Sequence, residues 1–209
     1  MEHINQFIHQ LTFEDLPPSV VKQAGICLID VLGVAAAGHD TKLAKIMESY
    51  VSDQMAGPIP LLFSDMSASL SGASLFGASL IDSIDAHDGQ VLTKGHVGVA
   101  IIPALHALIS DQLEKGQVIE GKELITALVI GYEVATRAGI ALHATALDYH
   151  TSGAWNSIGV AAITARLLKL DAIQTREALG IAEFHGPRSQ IMRCIDYPTM
   201  VKDGSGWGA

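Results

Sequence analysis

Residues Gly153–Leu168 are apolar nearly all the way round a helical projection. A helix without a polar face cannot lie on a surface and has to be covered by others. This one segment demands a helical surround, and the rest of the chain supplies it. Thr151 and Ser152 stand where caps for the buried helix belong.

The other segments follow in chain order. Leu16-Pro17-Pro18-Ser19 predicts a helix start, because proline in the first turn gives up an N–H that has no partner there. Val20, Ala24, Cys27, Leu28, Val31 and Leu32 then recur at the helical period, to a stop at Gly38. Asp40-Thr41 can cap a second helix over Lys42–Tyr50. Residues 52–69 lack helical periodicity, and Ile59–Phe63 reads as a short strand or an extended link. Ser69 and Ser71 cap a small-residue helix ending near Asp85. A further helix is expected over Val97–Leu113, with Pro103 kinking it or delaying its start and Gly116 marking its stop. Lys122–His143 is a long helix, and Asp171 to Gln174 resembles a capping box that opens Ala172–Phe184. Residues 185–198 read as irregular and charged, and residues 202–209 as a loop entering a helix. The expectation is an all-α bundle of about seven or eight helices in a single domain spanning 1–209.

Composition excludes several roles. Apolar residues make up 49% of the chain and charged residues 17%, too apolar for disorder. A formal charge of −9 argues against nucleic acid or an anionic membrane as partner. Cys27 and Cys194 are too few for a disulfide framework, a Cys-rich zinc site or an all-cysteine iron–sulfur cluster. The run Leu124–Leu142 is interrupted by Glu133 and Arg137, i,i+4 partners suited to a water-exposed helix rather than a membrane span. Glu2, His3 and Asn5 stand where a signal peptide needs apolar residues, so a cytoplasmic protein is expected.

Three polar clusters interrupt this apolar chain. Asp85 to His96 holds Asp85, His87, Asp88, Lys94 and His96 between two core segments. Asp148 to Ser152 holds His150, at the mouth of the most apolar helix. Residues 185–202 hold Arg188, Arg193 and Lys202. Ionisable groups between core elements are costly unless chemistry or a tight network uses them. Histidine is the commonest proton shuttle near neutral pH, and Arg and Lys suit carboxylates. If the clusters converge, they form a site for a di- or tricarboxylate that undergoes proton transfer beside a carboxylate. The catalytic candidates are His96, His150, Asp85 and Asp88. The substrate-binding candidates are Lys202, Arg188, Arg193, His87 and Lys94.

Each group also has an ordinary role open to it. His96 and His150 can cap helices, His87 can orient its loop, and the arginines can be surface charges. His3, His9, His39, His106 and His143 are read as structural. Asp85, His87, Asp88 and His96 also supply enough groups for a 2-His-1-carboxylate metal site. No HExxH spacing or cysteine pair supports that reading, and a metal-free site is expected. Gly204, Gly206 and Gly208 follow no strand, so no dinucleotide or phosphate motif is indicated.

Residues Leu11–Val21 and Cys27–Gly33 open the chain; Asp85–Gly89, Thr93–His96 and Pro103–Leu105 follow. Gly131–Ala135, His150–Ala154, Gly186–Gln190 and Met200–Ala209 complete an ordered set. In these motifs the sequence resembles the MmgE/PrpD family, which includes 2-methylcitrate dehydratase, cis-aconitate decarboxylase and iminodisuccinate epimerase. The resemblance implies an all-helical main domain, a homodimer and a cofactor-free active site. By motif position, His96 and His150 match the family's active-site histidines and Asp85 its aspartate. Lys202 matches a lysine that contacts substrate carboxylates. Gly89 departs from members that carry a threonine there, and Thr93–His96 is similar to another subgroup. Family members run to about twice this length, in two domains. The resemblance therefore implies that 1–209 is the amino-terminal part of a longer enzyme, its smaller α/β lid lying beyond Ala209. The function expected is a lyase or isomerase of the 2-methylcitrate dehydratase kind, acting on a small polycarboxylate. The alternative is a catalytically incomplete dimerisation module, or half of a split enzyme completed by a lid-domain chain.

Overall fold

The apolar segment 153–167 runs as helix α7 (Gly153–Leu167), with Trp155, Ala162, Ile163 and Ala165 at or near zero exposure. Around it, the computed structural model describes residues 2–194 and 204–209, with Arg193 and Cys194 described in backbone only. Among the described residues there are eight α-helices of nine residues or more and one of four. They are α1 (Glu2–Gln10), α2 (Pro18–Gly38), α3 (Lys42–Gln54), α4 (Leu70–Asp82), α5 (Gly98–Glu114), α6 (Gly121–Thr145), α7, α8 (Ala172–His185) and α9 (Ser205–Gly208). The only sheet among these residues is a hairpin pairing Ile59–Pro60 with Ser67–Ala68, antiparallel, with Ile59 opposite Ala68. The fold is an all-α bundle.

The caps lie where side-chain chemistry asks for them. The Thr41 hydroxyl accepts from the Ala44 N–H, that of Ser69 from Gly72, and the Asp171 carboxylate from Ile173 and Gln174. Each satisfies an amide that its helix leaves unpaired. Ser152 differs: it occupies the N-cap position of α7, but its side chain makes no cap bond and reaches another loop.

Small residues set the packing. A Cβ on Gly159 of α7 would stand 2.6 Å from the Gly131 carbonyl of α6, so these two helices meet backbone to backbone. A Cβ on Gly77 of α4 would stand 2.7 Å from the Pro103 ring of α5. Pro103 lies inside α5, which begins at Gly98, five residues before it, so the start is not delayed. Buried α4, α5 and α7 thus form the centre, with α2, α3, α6 and α8 outside. Both α2 and α6 have the length and apolar content of a bilayer span, and here both pack on neighbouring helices. The outer side of α2 leaves Ile29 73% exposed. On α6, Arg137 and Glu133 pair at 2.9 Å.

Helix α1 is not among the helices expected from the sequence, although Ile4, Phe7 and Ile8 stand at helical spacing. It is short, and it docks through Ile8, which is fully buried against Ile130, Ala162 and Leu179, with Phe7 packed on the same cluster and His9 Nε2 2.8 Å from the Thr175 hydroxyl. Arg166 ties it down by donating to the Ile8 carbonyl (2.7 Å) while gripping Glu123 through two nitrogens (2.5 and 2.8 Å). At the other end, α9 lies against the start of α7. The Gly204 carbonyl closes on Gly153 so tightly that a Cβ there would collide with it.

Candidate functional site

The chain between α4 and α5 is pinned from within. The Gln90 N–H donates to the Gly95 carbonyl (2.8 Å), and its side-chain carbonyl accepts from the amides of Leu92 (2.5 Å) and Thr93 (3.0 Å). Asp85 and Lys94 hold left-handed backbone, at φ 50° and 49°. Such conformations cost of order 1–3 kcal/mol in residues other than glycine and persist only where surroundings fix them. The loop is therefore built to hold a shape.

That shape presents His96. Its Nδ1 lies 2.8 Å from the Asp88 carbonyl, which can only accept, so Nδ1 carries the proton and Nε2 the lone pair. Nε2 lies 3.9 Å from the exposed Asp85 carboxylate. The His87 ring sits beneath, 4.0 Å away between centroids, buried, with its Nε2 3.4 Å from the buried Asp82 carboxylate. Asp88 works twice. Its carbonyl orients His96, and its carboxylate accepts from the Gly98 N–H at the start of α5 (3.2 Å). Burial pushes the Asp88 carboxyl above the usual range, against the hydrogen bond from Gly98 and the nearness of Tyr132 and His96. Burial likewise raises the Tyr132 hydroxyl, with the Asp88 charge adding to it. Gly98 lets these groups meet, since a Cβ there would strike the Tyr132 oxygen.

His150 is held by the same device. Its Nδ1 lies 3.1 Å from the Asp148 carbonyl, which places the lone pair on Nε2. The surroundings are different. His150 is 1% exposed, and among the described residues its Nε2 has no hydrogen-bond partner. Its ring stacks on His143, 4.5 Å between centroids at 28°. Burial lowers its pKa below the ordinary histidine value. The Asp148 carbonyl opposes that shift, and the nearby His143 adds to it.

Among the described residues, the first cluster and residues 187–191 of the third meet the second at residues 148–152. Ser152 Oγ accepts from the His96 N–H (3.0 Å), and the Tyr149 hydroxyl donates to the Lys94 carbonyl (2.5 Å). The first cluster is thus fastened to the second on both sides of His150. Residues 187–191 run antiparallel to 149–151. The Thr151 N–H donates to the Ser189 carbonyl (2.9 Å), the Ile191 N–H to the Tyr149 carbonyl (2.8 Å), and the Thr151 hydroxyl to the Pro187 carbonyl (3.0 Å). Arg188 pairs with Asp148 at 3.3 Å. Gly204 lies against Thr151. Lys202 and the Arg193 side chain lie outside the described residues. Lys94 is exposed, its carbonyl used by Tyr149.

Asp85, His87 and His96 each offer a ligand atom, all within 4.8 Å of one another, and these are the described residues that could hold a cation. The fourth candidate, Asp88, is turned to the α5 N-terminus instead. Sequence reasoning missed Asp82, Tyr132, His143 and the cross-link through Ser152. Two of these left a signal: His143 as a second histidine one helix end away from His150, and Tyr132 as part of the motif Gly131–Ala135.

Two kinds of comparison bear on this site. Residues 2–196 match the MmgE/PrpD N-terminal domain. A cis-aconitate decarboxylase-like protein of Aspergillus oryzae is 24% identical over 185 residues, covering 84% of this chain and 38% of that protein. The cis-aconitate decarboxylase of Aspergillus terreus is 23% identical over 176 residues, covering 82% of this chain and 36% of that protein. The chain thus spans less than two-fifths of the length of these relatives.

Proposed function

The chain belongs to the MmgE/PrpD family, and we propose that it carries the proton-transfer half of a cofactor-free lyase or isomerase site for a small di- or tricarboxylate. The observation that carries this reading is the shared hold on two histidines. His96 and His150 each give Nδ1–H to a backbone carbonyl and keep the Nε2 lone pair for a substrate proton. Fixed tautomers and fixed rings are what general acid–base catalysis needs.

One of the pair removes a proton alpha to a carboxylate, and the enolate-like charge that forms is held by cations. Arg188 and Lys202 are the residues assigned to that task. The other histidine gives a proton to the group that leaves or to the carbon left holding the electron pair. In a dehydration the hydroxyl departs as water. In a decarboxylation no alpha proton is removed: the bond to the carboxylate breaks, carbon dioxide departs, and the carbon that keeps the electron pair takes a proton from the protonated histidine. In an epimerisation the proton returns on the opposite face. Asp85, next to His96 Nε2, steadies that histidine between steps.

The relatives' names make cis-aconitate-like tricarboxylates the first substrates to try. Gly89 is the departure from the threonine pattern noted above. A Cβ at Gly89 meets nothing within 4 Å, so Gly89→Thr fits and can be compared directly. The test is proton NMR in D₂O with citrate-like, aconitate-like and aspartate-derived acids. Deuterium entering at an alpha carbon, and lost in His96→Ala or His150→Ala, supports the reading. No exchange with any of them from a folded sample, supplied with the relatives' remaining segment as a second chain, overturns it.

A further inference from the structure

The geometry points to a divalent-cation site of zinc type at Asp85, His87 and His96, built on side chains that the proton-transfer site proposed above also uses. Three features carry it. The first is the donor set: two imidazoles and one carboxylate, with one donor atom from each within 4.8 Å of the others. Nitrogen and oxygen donors of this kind suit zinc, which takes three protein ligands and leaves a fourth position open. Bonds of about 2.0–2.1 Å place neighbouring ligand atoms of a tetrahedral site about 3.3 Å apart. His96 Nε2 and the Asp85 carboxylate already stand at 3.9 Å. Asp85 is exposed on its loop, so a small turn of its side chain closes the gap.

The second feature is the support behind His96. A metal-binding histidine almost always gives its other ring N–H to a carbonyl or carboxylate, which fixes the ring and raises its basicity. His96 does this through the Asp88 carbonyl. A carboxylate also backs the neighbouring His87 ring, Asp82 at 3.4 Å. The third feature is charge. Asp82 and Asp85 place carboxylates beside the two rings, and the whole chain carries −9, which concentrates cations at such a spot.

Zinc here takes the His96 lone pair, so a chain holding it cannot use His96 as a base. That consequence for turnover rests on the proton-transfer reading; the binding itself does not. The experiment is therefore direct binding: zinc chloride titrated into the metal-free chain against a chromophoric chelator, with cobalt as a spectroscopic stand-in. One zinc per chain is expected. Asp85→Asn and His87→Gln each weaken it by tenfold or more, and Asp85→Asn changes the visible cobalt bands. His143→Gln leaves zinc binding unaltered. No binding, or affinity unchanged in Asp85→Asn, overturns the site. So does loss in His143→Gln alone, which places the ion on the stacked pair instead. If His87→Gln does not fold, Asp85→Asn decides, since its side chain sits on an exposed loop. A chain that binds zinc but exchanges no alpha proton contradicts only the function proposed above.

Discussion

His96 and His150 are held alike and housed differently. Each rests Nδ1 on a carbonyl close by in sequence, Asp88 for one and Asp148 for the other. His96 then faces a carboxylate at 3.9 Å and is partly open to solvent, while His150 is buried against a second imidazole. The lesson is that local backbone fixes which nitrogen is basic, and tertiary surroundings fix what that nitrogen meets. Enzymes that need an acid and a base commonly place two similar groups in unlike environments. Burial holds His150 towards its neutral form, which suits a group that must accept a proton.

The largest expected effect breaks this pair. His96→Ala and His150→Ala should each lower alpha-proton exchange by roughly 10²–10⁴-fold, the usual worth of a general acid or base. A pair acting as acid and base loses nearly everything with either variant, so the double variant should be little worse than the singles. Near-normal exchange in one of them would assign both roles to the other. The next effect loosens the joint between the two loops. A Cβ on Gly95 would stand 2.5 Å from Ser152 Oγ and 3.0 Å from Trp155, so Gly95→Ala forces the His96 loop away from α7. Overpacking of this kind costs about 1–3 kcal/mol, readable by urea denaturation. An unchanged midpoint would mean that the joint is slack.

The pH dependence of stability sharpens the comparison further. Burial lowers His150 and also His106, half-buried on α5, below the ordinary value of 6.5. The unfolded chain then binds more protons than the folded chain as pH falls through that value. Stability should therefore decline as pH falls below 6.5, and His106→Gln should flatten the decline. Asp88 acts in the opposite sense. Its raised carboxyl is ionised at a cost as pH rises through its folded value, and the cost disappears below the ordinary value of 3.8. Thermal melts across this range, in the parent and in His106→Gln, check the sign. The smallest effect lies at the rim. The Arg188–Asp148 pair is more than a third exposed on both sides, so Arg188→Ala should change stability by no more than about 1 kcal/mol. A larger loss would mean that Arg188 braces His150 through Asp148.

Much of this molecule was legible in the chain itself. Helices α2 to α8 announced themselves because their caps, stops and apolar period are local properties. Helix α1 was passed over although Ile4, Phe7 and Ile8 stand at helical spacing; it is only nine residues long, and its docking depends on Arg166, far along the chain. The polar clusters were visible, but their meeting was not. It depends on contacts such as Ser152 to His96, 56 residues apart, and Tyr149 to Lys94, 55 apart. Ser152 shows how local reasoning fails: the residue stands at the helix start as expected, yet spends its hydroxyl on a distant loop. Tyr132 stood in the motif Gly131–Ala135, but nothing local tied it to Asp88, because only the close approach allowed by Gly98 brings the two together.

The most direct test of the shared hold on the two histidines is their tautomeric state. Two-bond ¹H–¹⁵N correlation spectra of the imidazoles, recorded at a pH where both rings are neutral, report it residue by residue. Assignment comes from His96→Gln and His150→Gln. The account predicts that both keep the proton on Nδ1 and leave Nε2 bare. A proton on Nε2 of either ring would leave that histidine without the lone pair the mechanism requires, and would contradict the account.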